Sequence, residues 1–247
     1  MIGVFDSGAG GVSAVLELSA LLPRENIIFL ADRKNAPYGT KTETELLKLM
    51  RQNIRRLAEM GAERILIACC TASALWQRLP EWERSITLPI ITLTAESIPA
   101  ETKRVAVIAT EYTVKSHAFE REIGRLRPDL QVAELALQSL VRKVELYREG
   151  SGKAGLNRSA LLQNKTANST QLLSLISPEL ERIDGLIKSA SADSLILGCT
   201  HFSWVESILK RRYPHLKVLN PARLGAIRLA TDLSARKGDQ GRVTYTQ

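Results

Sequence analysis

Short apolar runs alternate along this chain with longer stretches whose aliphatic residues recur every three or four positions, the pattern of strands exchanging with amphipathic helices. Ile2-Gly3-Val4-Phe5 opens the series. The glycine-rich turn Asp6-Ser7-Gly8-Ala9-Gly10-Gly11 follows, and Val12 to Leu22 then carries helical spacing as far as the break at Pro23. Asn26 to Leu30 predicts a second strand, Thr42 to Met60 a helix, Arg64 to Ala68 a third strand and Pro89 to Leu93 a fourth. Arg104 to Ala109 opens a second lobe with a further strand at Val132 to Leu137 and helices around Tyr112 to Leu126 and Gln171 to Ala190. Leu195 to Leu197 and Leu216 to Leu219 complete the strands. This alternation argues for an α/β fold of two similar lobes, each a largely parallel sheet flanked by helices. Ligands in such sheets bind at the carboxyl ends of strands, which places the active site in the cleft between the lobes. The stretch from Gly150 to Thr170, rich in Ser, Asn, Lys and Gly, reads as a surface insertion, and the polar tail Ala235 to Gln247 as a frayed end.

Composition narrows the class. The chain has 247 residues, 45% apolar and 24% charged, enough for a substantial core without staples. Three cysteines, two of them adjacent, make no disulfide framework, and no charged-then-apolar leader precedes Ile2, so a reducing cytoplasm is the expected compartment. No apolar run approaches the ~18 residues of a membrane span. The formal charge of +8 invites a nucleic-acid partner, but the basic residues are scattered among acids, which argues against one.

Two segments share one design. Arg64 to Ser73 (RILIACCTAS) and Ser194 to Ser203 (SLILGCTHFS) each run from a buried-type strand through a small residue to cysteine and threonine, placing Cys69 and Cys199 just past two strand ends. Facing each other across a cleft, two such thiols would serve as a base and an acid on opposite faces of a small substrate. A helix start after each cysteine would lower its pKa toward neutrality and offer backbone N–H groups to a carboxylate. Ser7, Thr71 and Thr200 add hydroxyls there, and Asp6 a partner for an ammonium group. The competing reading is that both cysteines are small core residues. His201 could cap, pack, or transfer a proton beside Cys199. Cys69-Cys70 lacks the spacing of a redox pair, Cys69, Cys70, Cys199 and His201 lack the paired spacing of a metal site, and the glycine-rich turn matches neither nucleotide fingerprint. His117 and His215 read as structural.

At this point a family resemblance emerges. Residues 2–11, Ala31-Asp32 followed by Pro37-Tyr38-Gly39-Thr40-Lys41, Ala68-Cys69-Cys70-Thr71-Ala72-Ser73, and Leu197-Gly198-Cys199-Thr200-His201-Phe202 resemble, in order and spacing, the motifs of glutamate racemases. The likeness covers most of residues 2 to 147 and about 175 to 210. It implies a cofactor-independent racemase that interconverts L- and D-glutamate for bacterial peptidoglycan, needing no metal, with Cys69 and Cys199 as the acid/base pair. It also implies that Asp6, Ser7, Tyr38, Gly39, Cys70, Thr71, Thr113, Thr200 and His201 hold or orient the substrate, with Glu145 assisting His201 or Cys199. The family fold puts residues 1–96 and 215–247 in the first lobe and 97–214 in the second, and suggests a homodimer with glutamate as the small-molecule partner and no membrane association.

Departures from the pattern leave alternatives open. Cys70 stands where the family has asparagine, removing an amide donor worth on the order of 1.5–3 kcal/mol to a charged group. Ala136-Leu137-Gln138-Ser139-Leu140 replaces a segment with cysteine and proline, and Ala109 stands for a glycine, while Thr110 and Thr113 are in place. The alternatives are a racemase of aspartate or another acidic amino acid, and a racemase-like protein with a binding role, such as contact with gyrase.

Overall fold

Parallel strands buried on both faces require uninterrupted apolar runs, and those runs form two sheets here. The computed structural model describes residues 1–150, 170–233 and 243–246. In the first sheet lie β1 (Ile2–Asp6), β2 (Ile27–Ala31), β3 (Arg64–Ile67), β4 (Thr87–Pro89) and, from the far end of the chain, β9 (Val243–Thr246), in the order β4-β3-β1-β2-β9. The second holds β5 (Arg104–Ala109), β6 (Gln131–Ala136), β7 (Ser194–Gly198) and β8 (Lys217–Leu219), in the order β6-β5-β7-β8. Every pairing among the described strands is parallel. β1, β2 and β7 are buried at every position, as their sequences require.

The helix Glu43–Glu59 begins at a capping box: the Thr42 hydroxyl accepts from the Glu45 amide, and the Glu45 carboxylate accepts from the Thr42 amide. That helix carries Asn53, whose amide donates to Asp32 and to the Tyr38 hydroxyl, so its start helps position a site residue.

Four expectations need correction. The fourth strand ends at Pro89, and Ile90–Glu96 is helical instead. Pro89 can sit at the end of an edge strand, but the Ile91 amide goes to the Ser73 hydroxyl, and Ile90, Ile91 and Leu93 are buried in the core, so packing overrides β-propensity. The helix expected over 112–126 is two, Glu111–Lys115 and Ala118–Leu126, because His117 adopts a left-handed conformation (φ 50°) between them. Part of the tail is ordered: Val243–Thr246 pairs with β2, whose edge would otherwise be open. Finally, β8 bonds to β7, so residues 217–219 belong to the second sheet, and the helix Pro221–Leu233 makes the return by packing on the helix Val12–Leu21. The insertion expected at 150–170 lies, but for its two end residues, outside the described residues.

Among the described residues, three hydrophobic clusters form the core. One joins both sheets, taking Val4, Phe29 and Leu66 from the first and Val105, Val107 and Ile196 from the second, with Ile90 and Leu229 between them. The others lie on the outer face of each sheet. Cys70 belongs to the shared cluster, Cys199 to the second sheet's outer cluster and Cys69 to the first sheet's.

Thr42→Ala should cost about 1 kcal/mol through loss of the cap. A lowered melting temperature in calorimetry checks this, and an unchanged one would show that the box is dispensable.

Candidate active site

Strand ends converge where the sheets meet. Asp6 is the last residue of β1, Cys69 follows β3 and caps the single-turn helix Cys70–Ser73, and Cys199 follows β7 before the 3₁₀ segment Thr200–Trp204. Both cysteines line one cavity, together with Ser7, Tyr38, Gly39, Cys70, Thr71, Thr200, His201 and Glu145. All three cysteines are buried and free. The cavity offers only ≈ 20 Å³, room for about one water. An adjoining vestibule of ≈ 250 Å³ shares Gly8, Ala36, Pro37, Glu145 and His201 with it and adds Arg33 and Arg148.

Close backbone approach makes the junction possible. A Cβ on Gly10 would lie 2.4 Å from the Thr200 hydroxyl and 3.0 Å from the His201 amide nitrogen, so only glycine lets the first sheet's loop seat against the second sheet's. Asp6 uses that proximity: Oδ1 accepts from the Gly8 amide at 2.9 Å and Oδ2 from the Thr200 hydroxyl at 3.1 Å. Burial raises its pKa, opposed by His201 and by these donors. Asp6 does not line the cavity; it sits behind it.

The two thiols have opposite neighbours. The Cys69 thiol donates to the Ser7 hydroxyl at 3.4 Å. Burial, then the nearby Asp6 charge, pushes its pKa up to about 12. The expected lowering by a helix start is therefore overturned, because desolvation and a carboxylate outweigh one turn of helix. Burial also holds Cys70 well above its ordinary value. Cys199 Sγ lies 3.7 Å from His201 Nδ1, and His201 Nε2 lies 3.0 Å from Glu145 Oε1. The latter is an ion pair without hydrogen-bond alignment. Burial opposes a charged imidazole at His201, but the contact with Cys199 and the ion pair with Glu145 prevail and push its pKa up to about 10. Burial likewise opposes charge on Glu145, and His201 reverses the balance and lowers its pKa.

Hydroxyls form the remaining wall. Thr71 Oγ1 lies 2.9 Å from Thr110 Oγ1, which lies 2.9 Å from Thr113 Oγ1. Thr113 thus stands behind Thr110 and does not line the cavity. The Tyr38 hydroxyl donates to Asp32 at 2.6 Å, and burial together with Asp32 raises its pKa. Thr110, in place in the family pattern, also lines the cavity, as do Gln138 and Val141, which the sequence pattern does not mark as site residues. Gln138 opens a helix close after β6, the same strand-end position that drew attention to Cys69, so position alone could have found it. Gln138 Oε1 is buried without a hydrogen-bond partner.

A family model described as Asp/Glu/Hydantoin racemase matches residues 17–229 of this chain. The chain belongs to the Asp/Glu/hydantoin racemase family. Among its relatives, the glutamate racemase of Limosilactobacillus reuteri is 32% identical over 241 residues, covering 96% of this chain and 81% of the relative. The glutamate racemase isoform RacE1 of Bacillus anthracis superposes with a TM-score of 0.78 at 25% identity, covering 99% of this chain and 87% of that one. A glutamate racemase of Francisella tularensis, solved in complex with D-glutamate, gives 0.78 and 25%, covering 100% and 88%. These racemase structures share the fold of two parallel sheets flanked by helices.

The native His201 imidazole should stay protonated through neutral pH and release its proton as pH climbs toward about 10. Glu145→Gln removes a partner of the cation and should move that titration to lower pH. Ring-nitrogen shifts followed by NMR decide this; an unmoved titration would show that Glu145 does not hold the charge.

Proposed function

We propose that this family member is a cofactor-independent glutamate racemase working by two-thiol proton transfer between Cys69 and Cys199. The observation that carries the reading is that two cysteines from the ends of β3 and β7, strands of different sheets, line a single cavity. In one direction the thiolate of one cysteine removes the α-proton, and the thiol of the other delivers a proton to the opposite face of the planar carbanion. The reverse reaction exchanges their roles.

The electrostatics support an acidic amino acid. Arg33 and Arg148 flank the vestibule and would draw in a dicarboxylate; Arg148 stacks 4.3 Å over the Trp204 ring. An α-ammonium group arriving near Cys69 and the Asp6 charge would bring the Cys69 pKa down from about 12. Ser7, Thr71, Thr110 and Thr200 are the hydroxyls available to the carboxylates. A cavity of ≈ 20 Å³ must widen to admit glutamate, and the exposed Ala36-Pro37 turn and the partly exposed Glu145, shared with the vestibule, form the wall through which it would widen. On this reading the product, D-glutamate, would serve peptidoglycan synthesis in the bacterial cytoplasm.

Cys70 favours a second feature of this reading. A thiol cannot replace an amide as a donor to a carboxylate, so glutamate should bind weakly for this family.

Reduced protein incubated with L-glutamate in deuterated water should lose the α-proton signal and optical rotation together. Cys69→Ser and Cys199→Ser should each lower racemisation by ~10²–10⁴-fold. Exchange without racemisation would leave one thiol competent, and no change with glutamate would remove the substrate assignment. Cys70→Asn should lower KM for glutamate by about tenfold, equivalent to ~1.4 kcal/mol, with kcat little changed. An unchanged KM would show that position 70 does not meet the substrate.

A further inference from the structure

Away from the cysteines, an acid stands where strand physics disfavours one. Glu134 lies inside β6, the edge strand of the second sheet, yet its side chain is only 6% exposed. Both of its carboxylate oxygens are buried, and among the described residues no donor is aligned on either. The Glu120 amide is close enough to favour a negative charge there but makes no aligned bond. This desolvated carboxylate faces the exposed His117 imidazole and the Arg121 charge but has no aligned hydrogen bond among the described residues.

What surrounds it is ligand chemistry. His117 Nδ1 lies 3.5 Å from Glu134 Oε2 and 2.9 Å from Glu120 Oε2, and one donor atom from each of the three residues falls within 4.8 Å of the others. Metal bonds of ~2.0–2.2 Å at tetrahedral angles put ligand atoms ~3.3–3.6 Å apart; the His117–Glu134 separation of 3.5 Å falls in that range, and the 2.9 Å between His117 and Glu120 is a hydrogen bond that a cation would replace. The neighbouring Arg121 donates to the Ser116 carbonyl and also favours a negative charge on Glu134. His117 and Glu120 are more than half exposed at their side chains, so a cation can reach the group from solvent and keep water as a further ligand.

We propose that His117, Glu120 and Glu134 form a binding site for a first-row divalent cation. One imidazole with two carboxylates suits zinc, and manganese or ferrous iron less tightly. The cation would tie the turn at His117, between two helices, to the edge strand β6. The site is separate from the cysteine cavity, whose lining includes none of the three residues.

Calorimetric titration of zinc into the reduced full-length chain should show binding in the micromolar range, weakened at least tenfold by His117→Ala and by Glu134→Gln. Zinc should also raise the melting temperature of the native chain but not of His117→Ala. The thiols of Cys69, Cys70 and Cys199 offer zinc a rival site, so cobalt(II) is used to read which one fills. Thiolate ligation adds an intense near-ultraviolet charge-transfer band that an imidazole and carboxylate site lacks. Weak visible bands without that absorption, lost in His117→Ala, support the proposal. No zinc uptake, uptake unchanged by His117→Ala, or a cobalt spectrum dominated by thiolate absorption overturns it. His117 is exposed, so its substitution tests the site even where Glu134→Gln destabilises the fold.

Discussion

The two sheets meet over one buried carboxylate. Asp6 ends β1, holds its own loop through the Gly8 amide, and reaches the second sheet's loop through the Thr200 hydroxyl. A desolvated charge costs several kcal/mol unless donors and an opposite charge surround it, and the surroundings here come from both sheets. Gly10 leaves the space for Thr200, and at Gly11 a Cβ would lie 2.4 Å from the Asp6 Cβ. The glycine-rich turn is thus shaped around the carboxylate rather than around a phosphate. Placing Asp6 also fixes which residues can follow: Ser7 beside Cys69, and His201 beside Cys199.

The cavity exists because three hydrophobic clusters end at the same place. Cys69, Cys70 and Cys199 each belong to a different cluster, so moving any one cluster moves one wall of the site relative to the others. Burial raises the pKa of Cys69 and Cys70, while His201, backed by Glu145, supplies a cation on the Cys199 side. One thiol lies beside a carboxylate and the other beside an imidazolium. Without substrate the site is therefore electrostatically asymmetric, and a zwitterionic ligand carrying its own cation and anions is suited to rebalance it.

Much of this was legible in the sequence because buried parallel strands leave unbroken apolar runs. β1, β3, β5 and β7 fall within a residue or so of the positions read from Ile2, Arg64, Arg104 and Leu195. The repeated strand, cysteine and threonine design marked both thiols before any geometry was known. Local pattern failed where tertiary packing decided. Ile90-Ile91-Thr92-Leu93 has strand composition but is helical, since both sheets bury it from several sides. β9 was invisible because a polar tail strand is held by its partner's open edge rather than by its own apolar run. The direction of the Cys69 shift depends on Asp6, 63 positions away, and on desolvation, neither of which a helix-start argument contains.

Cys70 shows how the same constraint bears on specificity. Its thiol is packed in the cluster shared by the two sheets and kept neutral by burial, so it fills space at the cavity wall without presenting a strong donor. Recognition of anionic groups then falls on hydroxyls that already have partners: Ser7 with Cys69, Thr71 with Thr110, and Thr200 with Asp6. Thr71 and Thr200 can turn toward a ligand only by giving up bonds that join the two sheets, whereas the Ser7–Cys69 contact lies within the first. The bonds that close this wall are the ones that join the sheets at Thr71 and Thr200, and together they hold the cavity to ≈ 20 Å³.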